Sequence, residues 1–166
     1  MYRLGVPTEV APLPARLAEP CAMPDEAEGS RGARPERDRP VLLLVDDEAG
    51  VRRTMGLMLE LGGFRVITAA SGAEALAQLA LRTDQVSALV TDQNMPGMTG
   101  SELVSRMHER GIDLPVLFVS GRPQAALASA SYTTAPQRFL AKPFTQATLL
   151  AELRMLLRSS QSASQS

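Results

Sequence analysis

Five short apolar runs, each followed by a segment with helical spacing, limit what the middle of this chain can fold into. The first run, Val41-Leu-Leu-Leu-Val45, contains no polar residue, as expected of a strand that is buried on both faces. After it, Val51, Met55 and Leu59 recur at helical intervals. Strands that alternate with helices in this way form a parallel sheet covered on both faces. We therefore predict an α/β domain over residues 40–158.

The other predicted strands are short β-type runs of the same kind, and the predicted helices begin at polar caps. The strands are predicted over residues 41–45, 65–68, 88–91, 115–119 and 138–141. The predicted caps are Ser71 with Glu74, Thr99 with Glu102, and Thr145. A short helix is also predicted over residues 123–130, although this segment is poor in large apolar residues.

The two ends of the chain have a different composition. Residues 1–40 hold seven of the twelve prolines and carry charges of both signs without an apolar period. Such a segment cannot bury enough surface to offset the entropy lost on ordering. Residues 1–39 are therefore predicted to be a disordered, proline-rich leader or linker. Residues 159–166 are low in complexity, which predicts a flexible tail.

Composition excludes several classes of protein. A formal net charge of -1 argues against a nucleic-acid-binding surface. The single cysteine, Cys21, excludes an internal disulfide and fits a reducing compartment. No apolar stretch is long enough to span a bilayer, and the N-terminus lacks the apolar core of a signal peptide. The expectation is a soluble, cytoplasmic protein with neither a nucleic-acid nor a membrane partner.

Polar side chains follow four of the five predicted strands. They are Asp46, Asp47 and Glu48 after the first strand, Asp92 after the third, Ser120 after the fourth and Lys142 after the fifth. Ligand chemistry in parallel sheets is placed at the carboxyl ends of the strands. If these strands are neighbours, the clustered carboxylates repel one another unless a cation is present, and oxygen ligands favour Mg²⁺. Asp92 could then act as a nucleophile, as carboxylates do in aspartyl-phosphate chemistry, with Lys142 as a compact positive charge.

These residues stand in sequence pieces that resemble the receiver domain of two-component response regulators. The pieces are Leu-Leu-Val-Asp46-Asp47-Glu48, Val-Thr-Asp92-Gln-Asn94-Met-Pro96-Gly-Met-Thr-Gly100, Val-Ser120-Gly121 and Phe139-Leu-Ala-Lys142-Pro143-Phe144. The resemblance covers about residues 40–157. It implies a flavodoxin-like, doubly wound sheet of five parallel strands in the order 2-1-3-4-5. The wording of the pieces is also similar to receivers attached to hybrid histidine kinases, so a stand-alone and a hybrid-type receiver both remain open.

The resemblance also implies a role for each matching residue. Asp92 corresponds to the phosphoacceptor, which takes a phosphoryl group from a histidine of a partner kinase. Asp47 and Asp92 correspond to direct Mg²⁺ ligands, together with the main-chain carbonyl of Asn94. Asp46 corresponds to a ligand that acts through water.

Three further positions correspond to residues that bind or follow the phosphoryl group. Ser120 stands where the family has Thr or Ser, and Lys142 matches the family's lysine. The peptide bond between Lys142 and Pro143 is often cis in such proteins. Phe139 occupies the aromatic switch position, where the family often has Tyr. Phe cannot make the contact of the tyrosine hydroxyl, which leaves inward and outward packing of the ring as the way to switch.

The leading hypothesis is therefore a signalling module of a phosphorelay and not an enzyme that acts on external substrates. Its expected partners are a histidine kinase or histidine phosphotransfer protein and an unidentified output protein. No effector domain is expected after the last helix, so output would run through protein–protein contact or onward phosphotransfer.

Two other classes remain open beside this hypothesis. A Mg²⁺-dependent phosphatase of the haloacid dehalogenase kind would need Asp-x-Asp on the first strand, whereas this chain has adjacent Asp46 and Asp47. A degenerate receiver that acts only as a scaffold would not need the full set of acids with Lys142. Glu48 is predicted to be a solvated charge, and Arg52 and Arg53 a solvated face that could alternatively meet a partner's acids.

Overall fold

The computed structural model describes residues 38–121 and 134–163, without the side chains of residues 161–163. The described residues contain a five-stranded sheet in the order β2-β1-β3-β4-β5. Every neighbouring pair of strands is parallel. The strands are β1 (Val41–Val45), β2 (Arg65–Ala69), β3 (Val86–Asp92), β4 (Val116–Ser120) and β5 (Gln137–Ala141). The predicted fold class and strand order are confirmed.

Helices cover both faces of this sheet. They are α1 (Ala49–Leu61), α2 (Gly72–Arg82), α3 (Gly100–Glu109) and α4 (Gln146–Ala163), and a 3₁₀ turn (Thr83–Gln85) follows α2. Leu79 of α2 and Met107 of α3 are buried in the core on one face. Leu59 of α1 and Leu153 of α4 are buried in the core on the other. A doubly wound sheet requires an apolar surface on each side, and the two cores supply it.

Strand β1 shows why the first apolar run has no polar residue. Leu43 and Val45 point into the α2–α3 core, and Leu42 and Leu44 point into the α1–α4 core. All five residues of β1 are buried. Because β1 lies between β2 and β3 and is covered on both faces, a polar residue here would lose water without gaining a partner.

The predicted helix caps are present, with one difference in detail. Thr99 and Glu102 form a complete capping box at the start of α3. At α2, the Ser71 hydroxyl accepts from the Glu74 N–H at 3.2 Å, as predicted. The Glu74 carboxylate, however, accepts from the N–H of Ala70 at 2.8 Å, one residue before the predicted partner. The extended backbone of Ser71 places the Ala70 N–H within reach of the carboxylate.

The last helix extends past the predicted start of the carboxyl-terminal tail. The predicted tail begins too early, because α4 continues through Ser159 to Ala163. The Ser159 hydroxyl donates to the Met155 carbonyl at 3.0 Å, one helical turn earlier, which lets a serine remain within a helix. The predicted leader up to residue 37 and the predicted helix over residues 123–130 lie outside the described residues. None of the described helices combines the length and the apolar character needed to cross a membrane.

Candidate acidic site at the carboxyl edge of the sheet

The strand order brings the predicted site residues to one edge of the sheet. Asp92 is the last residue of β3 and Ser120 is the last residue of β4. Asp46 directly follows β1, and Lys142 directly follows β5. Since β1, β3, β4 and β5 are successive neighbours and all run in the same direction, their carboxyl ends lie side by side. Residues that are almost a hundred positions apart in the chain therefore meet here.

Lys142 joins two of the acids. Its Nζ atom donates to Asp92 Oδ1 at 2.9 Å and to Asp46 Oδ2 at 3.3 Å. The Asp46 and Asp92 side chains are only 2% and 10% exposed, and that of Lys142 is 28% exposed. Of the two roles open to Lys142, contact with a phosphoryl oxygen or pairing with Asp92, the second is the contact that the structure contains. One ammonium group thus holds two nearly buried carboxylates together.

The charge of Lys142 reflects this arrangement. Burial opposes the charged form and lowers the pKa of Lys142, but the hydrogen bond that Lys142 donates to Asp92 and the negative charges of Asp46 and Asp92 raise the pKa and outweigh burial. The net result is a pKa raised above the ordinary value. The ammonium is therefore charged throughout the neutral pH range.

Main-chain N–H groups hold the same two carboxylates from the other side. The N–H of Glu48 donates to Asp46 Oδ1 at 2.9 Å, and the N–H of Asn94 donates to Asp92 Oδ2 at 3.0 Å. Each carboxylate therefore has one oxygen bonded to Lys142 and the other to a backbone amide two residues further along the chain. A carboxylate can accept more bonds than these, so both groups keep lone pairs for a ligand.

Asp47 has a different environment. Its side chain is exposed, and within the described part of the chain its carboxylate makes no hydrogen bond or ion pair. Among those residues, no three acidic, histidine or cysteine side chains are arranged to enclose a metal ion. The predicted convergence of three acids is thus met by Asp46 and Asp92 and not by Asp47. Because like charges repel, the third carboxylate is more stable in water than against the other two.

The donor set nevertheless fits a hard divalent cation. Asp46, Asp47 and Asp92 contribute carboxylate oxygens, and the single ammonium of Lys142 leaves the group with a net negative charge. The Asn94 N–H donates to Asp92 Oδ2, so the main chain of Asn94 also lies beside this edge. Mg²⁺ commonly takes only one or two carboxylates directly and retains several waters. A closed cage of three side chains is therefore not required for Mg²⁺.

Ser120 and Phe139 lie on the β4–β5 side of the edge. Ser120 is buried, and its carbonyl accepts from the Lys142 N–H at 2.8 Å. The Phe139 ring is half-buried and stacks on Phe118, with a centroid distance of 5.1 Å and an interplanar angle of 11°. Phe118 and Ser120 are two residues apart on β4 and so face the same side of the sheet. The ring of Phe139, the predicted switch residue, therefore packs inward on the same face of the sheet as Ser120. The Lys142–Pro143 peptide bond is cis.

Helix α3 packs closely against the loop that carries Asp92, and this contact was not predicted from the sequence. A side-chain carbon added to Gly100 would lie 2.6 Å from the main-chain oxygen of Asp92. In the same place, Gln93 Nε2 donates to Ser101 Oγ at 2.6 Å. The first turn of α3 therefore touches the backbone of the acid directly. A glycine at the first helical position, directly after a threonine cap, is the signal that could have indicated this contact.

Arg52 also differs from the prediction. It was expected on a solvated face, but it is half-buried and its Nη1 atom donates to the main-chain oxygen of Asp46 at 2.6 Å. The neighbouring Arg53 is exposed, as predicted. Arg52 lies on the first turn of α1, which directly follows the acidic strand end, so its long side chain can reach back to the backbone there.

Comparison with known proteins identifies the family. The family model of the response regulator receiver domain matches residues 42–154. The chain belongs to the response regulator receiver family. A response regulator named MprA from Mycobacterium ulcerans (strain Agy99) is 36% identical over 117 residues, which are 70% of this chain and 50% of that protein. MprA from Mycobacterium tuberculosis (strain ATCC 25618 / H37Rv) shows the same identity and coverage. The chain spans about half the length of these curated relatives.

Solved receiver structures have the same architecture. The chemotaxis protein CheY4 of Vibrio cholerae superposes with a TM-score of 0.63 at 31% identity, covering 71% of this chain and 98% of that one. The receiver domain of the hybrid histidine kinase CckA superposes with a TM-score of 0.59 at 31% identity, covering 70% and 98%. A receiver domain protein from Clostridium thermocellum has a TM-score of 0.66 at 21% identity, covering 75% and 98%, and this likeness shows the fold alone.

Membership of the receiver family indicates the class of function of this domain. Receiver domains are the phosphoacceptor modules of two-component signal transduction, and this chain contains one. It is a signalling domain, and the predicted family and function class are confirmed. Receivers of this family generally bind Mg²⁺ and interact with histidine kinases.

Proposed function

We propose that Asp92 is the phosphoacceptor of this receiver and that the phosphoryl group comes from a histidine of a partner kinase or phosphotransfer protein. The observation that carries this proposal is the 2.9 Å bond between Lys142 Nζ and Asp92 Oδ1 at the carboxyl edge of the sheet. Asp92 is the acid of the central strand β3, and its side chain is 10% exposed, so one face of the carboxylate remains open to a reactant.

The chemistry follows from these positions. An oxygen of Asp92 forms a bond to phosphorus while the bond between phosphorus and the histidine nitrogen breaks. The electron pair of the broken bond stays on the histidine nitrogen, which takes up a proton from solvent. Lys142 holds the attacking carboxylate in place and offers its positive charge to the phosphoryl oxygens. The Ser120 hydroxyl serves as a further donor to those oxygens.

We place a magnesium ion at the same edge, with Asp47, Asp92 and the main-chain carbonyl of Asn94 as direct ligands and Asp46 acting through water. The oxygen donors and the net negative charge of the edge support this assignment. Bound Mg²⁺ supplies positive charge that neutralises the transferred phosphoryl group. Asp47, the exposed acid, is the residue with the most freedom to turn toward such an ion.

The partner is expected to dock beside Lys142. A groove of about 470 Å³ lies between α1 and the connection from β5 to α4, and Val51, Met55, Met58, Lys142 and Phe144 are among its lining residues. The apolar part of the groove can hold a partner's surface, while Lys142 links it to Asp92. A histidine presented at the Lys142 end of this groove would approach Asp92, because Lys142 both lines the groove and bonds to Asp92. The receiver itself would then catalyse its phosphorylation and dephosphorylation, with output through protein contact or onward phosphotransfer.

A labelling experiment tests the acceptor. The chain is incubated with Mg²⁺ and radiolabelled acetyl phosphate, and acid-stable and base-labile label is measured on the wild type, Asp92→Asn and Asp84→Asn. Asp84 is an exposed acid in the 3₁₀ turn and serves as the matched control. Label on Asp92→Asn should fall to the background of the assay, with circular dichroism unchanged, while Asp84→Asn labels normally.

Two results would contradict the proposal. Equal labelling of Asp92→Asn and wild type would place the acceptor elsewhere. Steady hydrolysis of a small phosphomonoester, with many turnovers per chain, would favour the Mg²⁺-dependent phosphatase instead.

A further inference from the structure

Arg52 contacts the main chain of the acidic strand end and not its carboxylates. Its Nη1 atom lies 2.6 Å from the carbonyl oxygen of Asp46 and 3.4 Å from that of Asp47. The guanidinium is therefore bonded to the peptide unit that joins the two acids. A hydrogen bond from a charged donor is about twice as strong as one between neutral groups.

The sheet does not hold this part of the backbone. The pairing of β1 with β2 and β3 ends at Val45, which is opposite Ala69 and Thr91. Beyond that point the Asp46 N–H still donates to the Ala69 carbonyl, at 3.3 Å. The carbonyls of Asp46 and Asp47 lie past the end of the ladder, and Arg52 supplies the donor that the ladder no longer provides.

The two acids depend on this contact to different extents. The carboxylate of Asp46 is also held by Lys142 and by the N–H of Glu48. The carboxylate of Asp47 has no such partner within the described ranges, so the direction of its side chain is set by its own backbone. Anything that fixes the peptide between Asp46 and Asp47 therefore acts mainly on Asp47.

We propose that Arg52 is a positioning residue for magnesium binding: it fixes the Asp46–Asp47 peptide and thereby aims the Asp47 carboxylate at the ion. This inference rests on the proposed function, because it assumes the magnesium site at this edge. Arg52 touches neither the ion nor the phosphoryl group. Residues that orient metal ligands in this way typically change metal affinity by about 10- to 100-fold when they are replaced.

The direction in which Mg²⁺ affinity changes when Arg52 is replaced distinguishes a positioning role from a purely electrostatic one. Removal of a nearby positive charge, by itself, strengthens the binding of a cation. Loss of a positioning contact weakens it. Replacement of Arg52 by a neutral residue therefore gives opposite results under the two explanations.

Isothermal titration calorimetry with Mg²⁺ alone, on the unphosphorylated chain, measures this sign. Arg52→Gln should raise the dissociation constant for Mg²⁺ by about tenfold. Arg53→Gln is the matched control, because Arg53 is the next residue, carries the same charge and is exposed, with no hydrogen bond or ion pair among the described residues. Its dissociation constant should stay within about twofold of the wild type or fall slightly.

Arg52→Lys keeps the charge, but its donor lies one bond closer to the backbone than Nη1 does and reaches the Asp46 carbonyl less well, so we expect about a threefold increase in the dissociation constant. If Arg52→Gln does not fold, as judged by circular dichroism, Arg52→Lys decides the question, and an unchanged affinity in that variant overturns the inference. Equal or tighter Mg²⁺ binding by folded Arg52→Gln overturns it as well.

The same titration separates this inference from the proposed function. If the wild type does not bind Mg²⁺, the proposed metal site itself is wrong. If the wild type binds Mg²⁺ and is labelled on Asp92, while Arg52→Gln binds as tightly as wild type, only the role of Arg52 is wrong.

Discussion

Asp46 and Asp47 are adjacent in the chain, yet the carboxylate of one is buried and bonded whereas that of the other is exposed. The Asp46 side chain is 2% exposed and is bonded through both carboxylate oxygens, to Lys142 and to a backbone amide. The Asp47 side chain is exposed, and only its main chain is held, by Arg52. The comparison shows that half of the site is preorganised by the protein alone. In the other half only the backbone is fixed, by Arg52, and the Asp47 carboxylate has no bonding partner among the described residues.

The largest expected effect concerns the exposed acid. Asp47→Ala removes a direct ligand of the proposed ion and should weaken Mg²⁺ binding by about 100-fold or more, since even indirect partners of a ligand cost 10- to 100-fold. Asp46→Asn, which retains an acceptor for the Glu48 N–H, should weaken it less. Calorimetry with Mg²⁺ on both variants measures the difference. Unchanged metal affinity in Asp47→Ala would remove this residue from the site.

Stability should respond to the buried half of the site. Lys142→Met leaves the carboxylates of Asp46 and Asp92 facing each other without their shared hydrogen-bond donor, so the free energy of unfolding without Mg²⁺ should fall by about 1–3 kcal/mol. Urea denaturation measures it, and added Mg²⁺ should restore part of the loss because the ion binds the folded state.

Arg53→Met is the control for that variant, because it removes a positive charge from an exposed position on α1. Its stability should stay within about 0.5 kcal/mol of the wild type. A Lys142→Met variant as stable as this control would show that the ammonium does not hold the two acids together.

A smaller effect is expected from pH. The pKa of Lys142 is raised in the folded state, from an ordinary value of 10.5. A raised pKa stabilises the folded state fully at pH values below the unfolded pKa, and this contribution is lost as pH rises through the folded pKa. The difference in unfolding free energy between wild type and Lys142→Met should therefore be constant near neutral pH and should shrink above pH 10.5. A difference that is the same at all alkaline pH values would contradict the assignment.

The short apolar runs of the sequence were enough to locate the strands. The run Val41–Val45 is apolar at every position, and the structure buries every one of its residues. Because side chains alternate between the two faces of a strand, a run that is apolar at every position predicts a strand that is covered on both faces. The polar residues that end the strands could be found in the same way, and Asp46, Asp92 and Lys142 do meet.

Contacts between side chains and backbone were harder to predict. The pair Arg52-Arg53 looks uniform in the sequence, but one residue bonds to a carbonyl and the other is exposed. Whether a long side chain on α1 turns toward the strand end depends on where the helix lies over the sheet. The same is true of Gly100, whose close approach to the Asp92 carbonyl follows from the packing of α3 against the loop.

By itself, the sequence determined the alternation of strands and helices, the helix caps and the chemical character of the residues at the strand ends. These features depend on hydrophobic spacing and on hydrogen bonds between residues three or four positions apart. The tertiary structure decided which acid is buried, which remains in water and which arginine holds the backbone between them. Those outcomes depend on distances between elements far apart in the chain, and burial and charge pairing at such distances exist only once the sheet and its helices have packed together.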